Sequence, residues 1–130
     1  MKWTKNFTMT ESYYVDTYAL IELILGNPNY KQYAGCEAVL TQVNIFELFF
    51  YVLRTQNETA AYAVTGGYEH LVRNMLTSDV LRAAKLKFVH KKKKLSMADC
   101  IGYETARRLG IKFLTGDKAF KDMKNVEFVA

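Results

Sequence analysis

Four carboxylates far apart in the chain, Asp16, Glu47, Asp99 and Asp117, stand where apolar segments give way to turns or to the first turns of helices. Carboxylates brought together repel, and at least one is pushed to a higher pKa unless a cation joins them. A donor set made only of oxygen suits magnesium or manganese. One or two such ions polarise a phosphodiester, lower the pKa of a water and stabilise a leaving oxygen, so the chemistry this set could do is phosphodiester hydrolysis.

The elements that must position these acids follow from hydrophobic spacing and breakers. Ser12 to Asp16 reads as a short buried strand, and Thr17 to Leu25 as a helix stopped by Gly26-Asn27-Pro28. Glu37 to Leu40 forms a second strand, followed by a long helix from about Gln42 to Arg54. Asn57 to Leu76 is helical in two pieces around Gly66-Gly67, and Ser78 to about Lys92 is a further amphipathic segment. Ser96 to Leu109 opens on a capping-box spacing, Ser96-x-x-Asp99, and ends at Gly110. Ile111 to Thr115 and Val126 to Val129 are strands, separated by a turn and a short helix. Strands alternating with helices predict an α/β fold with a parallel sheet covered on both faces. In such sheets, ligands bind outside the carboxyl ends of the strands. Asp16 and Asp117 fall at that edge, and Asp99 and Glu47 lie in the opening turns of helices.

Each acid but one also has an ordinary reading. Asp16 or Thr17 could cap the first helix, Asp99 could complete a capping box, and Asp117 could cap the turn from Lys118. Glu47 resists this. Val43 to Leu53 is apolar nearly all round, which predicts a buried helix. Its exceptions, Asn44, Glu47 and the Tyr51 hydroxyl, fall at i, i+3 and i+7 on one stripe that must face something polar. No Lys or Arg lies within one turn of Glu47 to neutralise it.

Composition narrows the classes. The 130 residues, 50% hydrophobic and 24% charged, suit one compact domain spanning 1–130, with 1–11 a polar extension. Disordered, collagen-like and disulfide-framework classes are excluded. Cys36 and Cys100 lack CxxC spacing, and His70 and His90 have no partner spacing, so a zinc site is not expected. No phosphate loop, GxGxxG turn or GxSxG elbow is present. The apolar stretches are too short and too interrupted to span a bilayer, and the first eleven residues lack a secretory apolar region, which together point to a cytoplasmic protein. Eighteen Lys and Arg against thirteen Asp and Glu give +5, a mild bias towards polyanions.

Taken in order, Tyr14-Val15-Asp16-Thr17-x-Ala19-Leu20, Thr41-x-x-Asn44-x-x-Glu47-Leu48, Leu95-Ser96-x-Ala98-Asp99 and Phe113-Leu114-Thr115-Gly116-Asp117-x-x-Phe120 resemble the PIN domain, in particular the small ribonuclease toxins of VapBC toxin-antitoxin systems. The resemblance implies a three-layer α/β/α fold with a central parallel sheet of four to five strands. It implies that Asp16, Glu47, Asp99 and Asp117 are catalytic and bind Mg2+ or Mn2+, with Thr17, Asn44, Ser96 and Thr115 supporting them. The implied activity is endoribonucleolytic cleavage of structured or single-stranded RNA, leaving a 5′-phosphate and a 3′-hydroxyl and restrained by a small antitoxin protein. A housekeeping RNA-processing nuclease and a non-catalytic RNA- or protein-binding scaffold are the alternative readings.

Other residues carry narrower expectations. Lys118 beside Asp117 is a candidate RNA phosphate contact. The run Lys91 to Lys94 reads as solvated lysines closing a helix. Tyr13, Tyr14 and Tyr18 read as core or edge residues, any exposed one being able to stack on an unpaired base. Cys36 and Cys100 read as small buried hydrophobes and the histidines as surface residues. The apolar excess in Tyr18 to Leu25 and Phe46 to Leu53 suits a homodimer face or a groove for an antitoxin helix.

Overall fold

A parallel sheet needs its strands joined by crossovers, and this chain supplies helices between them. The computed structural model describes residues 11–130, so the expected extension 1–11 lies, apart from Glu11, outside the described residues. Strands β1 (Ser12–Val15), β2 (Glu37–Val39), β3 (Lys112–Thr115) and β4 (Val126–Phe128) pair in the order β2-β1-β3-β4, all parallel. The sheet therefore has four strands. An isolated parallel bridge between Leu40 and Val72 extends its β2 edge, with the Arg73 amide donating to the Leu40 carbonyl at 2.8 Å.

Alternation along β1 and β3 sends successive side chains to opposite faces. Tyr13, Val15 and Leu114 join one core with Leu20, Leu48 and Val52 from helices α1 (Thr17–Leu25) and α2 (Gln42–Thr55). Helix α3 (Glu58–Gly66) adds Ala61 to that side. Tyr14 and Phe113 join the other core with residues of α4 (Thr77–Val89) and α5 (Met97–Leu109). The result is the expected three-layer sandwich. Its second core is aromatic: Phe113 meets Phe120 at 5.1 Å, Tyr14 at 5.9 Å and Tyr103 at 6.0 Å between ring centroids.

The layer of α4 and α5 is pinned by charge. Asp79, fully buried, accepts from Arg108 Nε at 2.8 Å and from Arg82 at 2.7 Å, while Glu104 pairs with Arg82 and Arg107. Gly26 and Gly110 end α1 and α5 at φ 78° and 73°, the left-handed backbone that closes a helix most cheaply with glycine.

Two expectations need correction here. Helix α2 is not buried all round. Leu48 and Val52 face the core, but Phe46 (72%) and Phe50 (55%) are exposed along with Leu53, because only one side of the helix meets the sheet and α3. The lysine run does not close a helix: α4 stops at Val89, and Lys91–Lys93 form a separate 3-10 turn that Lys94 ends at φ 54°. Lys93 there donates to the Ala119 carbonyl at 3.1 Å. Cys100 is buried and Cys36 half-buried. Among the described residues no helix is long and apolar enough to cross a membrane.

Candidate active site

Between β1 and β3 the strand order reverses direction, and the connections that leave the carboxyl ends of these two strands part to opposite sides, opening a crevice there. Helices α1 and α2 leave the sheet at that edge. Helix α5 runs back towards the start of β3, so it too begins there. Three helix N-termini with their partial positive charge thus face the crevice. An open cleft of about 860 Å³ occupies it, and Asp16, Glu47, Asp99 and Asp117 all line it, with Thr17 and Ser96.

Asp16 ends β1 and is only 4% exposed. Its Oδ1 accepts from the Ala19 amide at 2.7 Å, capping α1, and its Oδ2 accepts from the Thr115 hydroxyl. Capping and site duty therefore fall on the same residue. Burial, and next the charge of Asp99, push its pKa up to about 7 against the lowering effect of those hydrogen bonds. Thr115, fully buried at the end of β3, also accepts from the Asp117 amide at 3.0 Å, so one hydroxyl ties the first acid to the loop bearing the fourth. Asp117 itself is exposed and caps the following turn through the Ala119 amide at 2.9 Å.

Asp99 stands in the first turn of α5. Ser96 Oγ accepts from its amide at 3.0 Å, and Ser96 is the cap of the helix. Burial, and then Glu47 and Asp117, push the Asp99 carboxyl up to about 6, with Ser96 opposing. Glu47 is half-buried rather than buried, and accepts from the Thr17 hydroxyl. Beneath it lies a chain of neutral hydrogen bonds. Asn44 donates to Thr17 Oγ1 at 3.1 Å and to the Val15 carbonyl at 3.1 Å, while its Oδ1 accepts from the Thr41 amide at 2.9 Å and the Tyr14 hydroxyl at 2.5 Å. Asn44 thus bolts the end of β1 to the start of α2. The stripe seen in the sequence divides by depth: Asn44 is buried below the cleft, whereas Glu47 and Tyr51 line it.

None of the four acids makes an ion pair; those among the described residues all involve Asp79 or Glu104. Oxygen donors with unrelieved mutual repulsion fit a hard divalent cation. Among the described residues, however, no three His, Cys, Asp or Glu side chains close on one point as ligands. Magnesium is commonly held by one or two carboxylates and keeps several waters, and a pair of these acids with bridging waters matches that habit better than a protein cage does.

Lys118 is exposed beside Asp117 and does not line the cleft. Tyr18, 61% exposed on α1, does line it, whereas Tyr14 is core. The roles of three residues escaped the sequence reading. Tyr14 and Thr41 carry the support of Asn44, and the Thr41-x-x-Asn44 spacing at a helix start was the available sign. Arg54 lines the cleft and falls at i+10 from Asn44, where the polar stripe of α2 continues one step further.

A family model described as the PIN domain matches residues 13–126. Among solved structures, one titled as a toxin-antitoxin complex from Klebsiella pneumoniae is similar in fold, with a TM-score of 0.70 and 20% identity over 91% of this chain and 98% of that chain. A comparison with curated protein sequences finds no match.

Proposed function

The chain belongs to the PIN-domain family, and from that premise we propose that it is a cytoplasmic, divalent-metal-dependent endoribonuclease, the toxin of a toxin-antitoxin pair. The observation that carries this reading is Asp16: a carboxylate buried at the carboxyl edge of the sheet, with no cationic partner among the described residues and with Glu22, Glu47, Asp99 and Asp117 around the same cleft. Burying a charge that way is costly unless something positive arrives.

Asp16, Asp99, Asp117 and Glu47 would hold Mg2+ or Mn2+, directly or through water. When bound, the ion supplies electrostatic stabilisation of a phosphodiester oxygen and a more acidic water. The chain's own residues do the rest. Thr115 and the Ala19 amide fix both oxygens of Asp16, so its carboxylate enters the cleft in one orientation. Thr17, held by Asn44, orients Glu47, and Ser96 orients Asp99. An acid that remains ionised accepts the proton of the attacking water, and Lys118, exposed next along from Asp117 outside the cleft, meets a phosphate beyond it.

The partner in this reading is a small antitoxin protein that lays an apolar helix on the exposed face of α2, where Phe46, Phe50 and Leu53 border a second, almost wholly apolar hollow. The similarity to a structure titled as a toxin-antitoxin complex supports an antitoxin as the partner. A second copy of the chain would use further exposed apolar residues, such as Leu81 and Phe88 on α4.

Incubation of the purified protein with RNA and Mn2+, followed by end mapping, tests the nuclease. Fragments with 5′-phosphate and 3′-hydroxyl ends are expected from the wild type, and from neither Asp16→Asn nor Asp99→Asn. Cleavage that persists in both variants, or that ignores a chelator, overturns the reading. Growth arrest on expression, relieved by Asp99→Asn, separates a toxin from a housekeeping nuclease.

A further inference from the structure

The cleft is acidic at its floor, and a polyanion approaching it needs a cation that the fold has not already used. Among the described residues lining it, Arg54 is the sole Lys or Arg. It follows Glu47 by seven residues, about 10.5 Å along the same face of α2 at the rise of an α-helix. Its guanidinium lies over the rings of Phe50 and Tyr51, 5.9 and 5.6 Å from their centroids. No acid among the described residues pairs with it, in contrast to Arg82, Arg107 and Arg108, which are spent on Asp79 and Glu104. A planar, pre-oriented guanidinium suits a phosphate, which it can grip through two parallel hydrogen bonds. Around it the cleft presents aromatic faces: Phe50 beside it and Tyr18 from α1, both more than half exposed. Such faces stack on bases, and only unpaired bases can reach them.

We propose that Arg54 binds a backbone phosphate of a single-stranded RNA segment while Tyr18 or Phe50 stacks on an adjoining unpaired base, and that this grip sets which phosphodiester lies over the acids. The proposal rests on the nuclease reading and names the residues that position its substrate. A rim of purely apolar residues would suit a protein helix instead; the charged and aromatic rim around Arg54 favours a nucleic acid, leaving Leu53 of the apolar hollow to the partner, with Phe46 and Phe50 on the border of the two.

Steady-state cleavage of one oligoribonucleotide, single-stranded and annealed to its complement, tests this in wild type, Arg54→Ala and Arg54→Lys with Mn2+ fixed. The wild type should cleave the single strand and spare the duplex. Arg54→Ala should raise KM about tenfold or more with a smaller change in kcat, as loss of a charge-assisted contact does. It should also flatten the dependence of log KM on log salt by about 0.7, one phosphate contact fewer. Arg54→Lys should restore the salt slope and only part of the affinity, and the Mn2+-induced rise in Tm should be the same in all three. Duplex cleaved as well as single strand overturns the proposal. So does a wild type that cleaves while Arg54→Ala keeps its KM and salt slope, including the case where Arg54→Ala loses only inhibition by a protein partner. A wild type that cleaves no RNA removes the nuclease reading, and this inference with it.

Discussion

The Tyr14 hydroxyl donates to Asn44 Oδ1 at 2.5 Å, joining the centre of β1 to the first turn of α2 beneath the cleft. Burial raises the pKa of this phenol, so it stays a neutral donor throughout the working pH range. The amide it orients holds Thr17, and Thr17 holds Glu47. Tyr14→Phe keeps the ring against Phe113 and removes only the hydroxyl. It should lower stability by about 1 to 2 kcal/mol, the cost of stranding buried polar partners. Asn44 still accepts from the Thr41 amide, so turnover should fall about tenfold rather than vanish, the lower end of the effect of partners behind metal ligands. Urea unfolding and initial rates check both; unchanged turnover would show that Glu47 needs no support from this chain of hydrogen bonds.

Asp16 and Asp99 have pKa values pushed up to about 7 and about 6, by burial first and by neighbouring acids after it. Between about pH 4 and 7 the folded protein then binds more protons at these sites than the unfolded chain, whose carboxylates titrate near 4. Their contribution to stability is therefore greatest at low pH and declines as pH rises through that window. Asp79, held below the usual carboxylate range by Arg108 despite its burial, acts in the opposite sense. The comparison that isolates Asp16 is wild type against Asp16→Asn, since Asn caps a helix about as well as Asp. In chelator-treated samples the advantage of Asp16→Asn in urea midpoint should grow from pH 4.5 to 7.5. A constant difference would mean that Asp16 is ionised at no cost.

A cation that relieves this repulsion binds the folded state selectively and must raise Tm by mass action. At a hundredfold excess over its Kd the gain is about 2.7 kcal/mol, several degrees for a chain of this length. Thermal unfolding with increasing Mn2+ should show that rise in wild type and in Lys118→Ala, but a much smaller one in Asp16→Asn and Asp99→Asn. Equal responses in all four proteins would place the ion elsewhere.

Much of this arrangement was legible in the chain, for local reasons. Gly26 and Gly110 mark helix ends through their left-handed backbone, and Ser96 marks a start through its cap, so α1 and α5 emerge with their boundaries nearly intact. The acids were found because Asp16 and Asp99 sit at the starts of those helices and Asp117 at the start of the turn after β3. What the chain hid depends on tertiary neighbours. The apolar run of α2 carries a surplus that suits an interface, but a residue-type pattern cannot tell which of its residues face the core and which face outward. The half-buried setting of Glu47, the buried one of Asp16 and the role of Tyr14 arise from contacts 27 to 99 residues apart in sequence. The charge cluster of Asp79 with Arg82 and Arg108 was missed because Arg108 reaches it from another helix.

Gly102 carries the last expectation, because it sets how closely α5 approaches the sheet. A Cβ there would stand 2.5 Å from Tyr14 Cε1 and 3.0 Å from Phe113 Cε1, closer than carbon atoms tolerate. Both rings are fully buried and wedged among Phe120 and Tyr103, so neither can yield without moving its neighbours. Gly102→Ala gains about 1 kcal/mol of helix propensity, against about 1 to 3 kcal/mol for overpacking a filled core. A net loss of stability should follow despite the better helix former. The shift has a direction: α5 must lift off the sheet, or Tyr14 must turn. Lifting α5 carries Asp99 away from Asp16, while turning Tyr14 frees Asn44 and, through Thr17, Glu47. Either route weakens the site, so Mn2+ affinity and turnover should fall together in a variant that still unfolds cooperatively. The adjacent control, Tyr103→Phe, removes only a hydroxyl bonded to the Lys124 carbonyl at 2.6 Å and should cost stability without changing Mn2+ affinity. If Gly102→Ala loses stability but binds Mn2+ as the wild type does, the spacing of α5 from the sheet is a packing matter alone and has no part in holding Asp99 over the cleft.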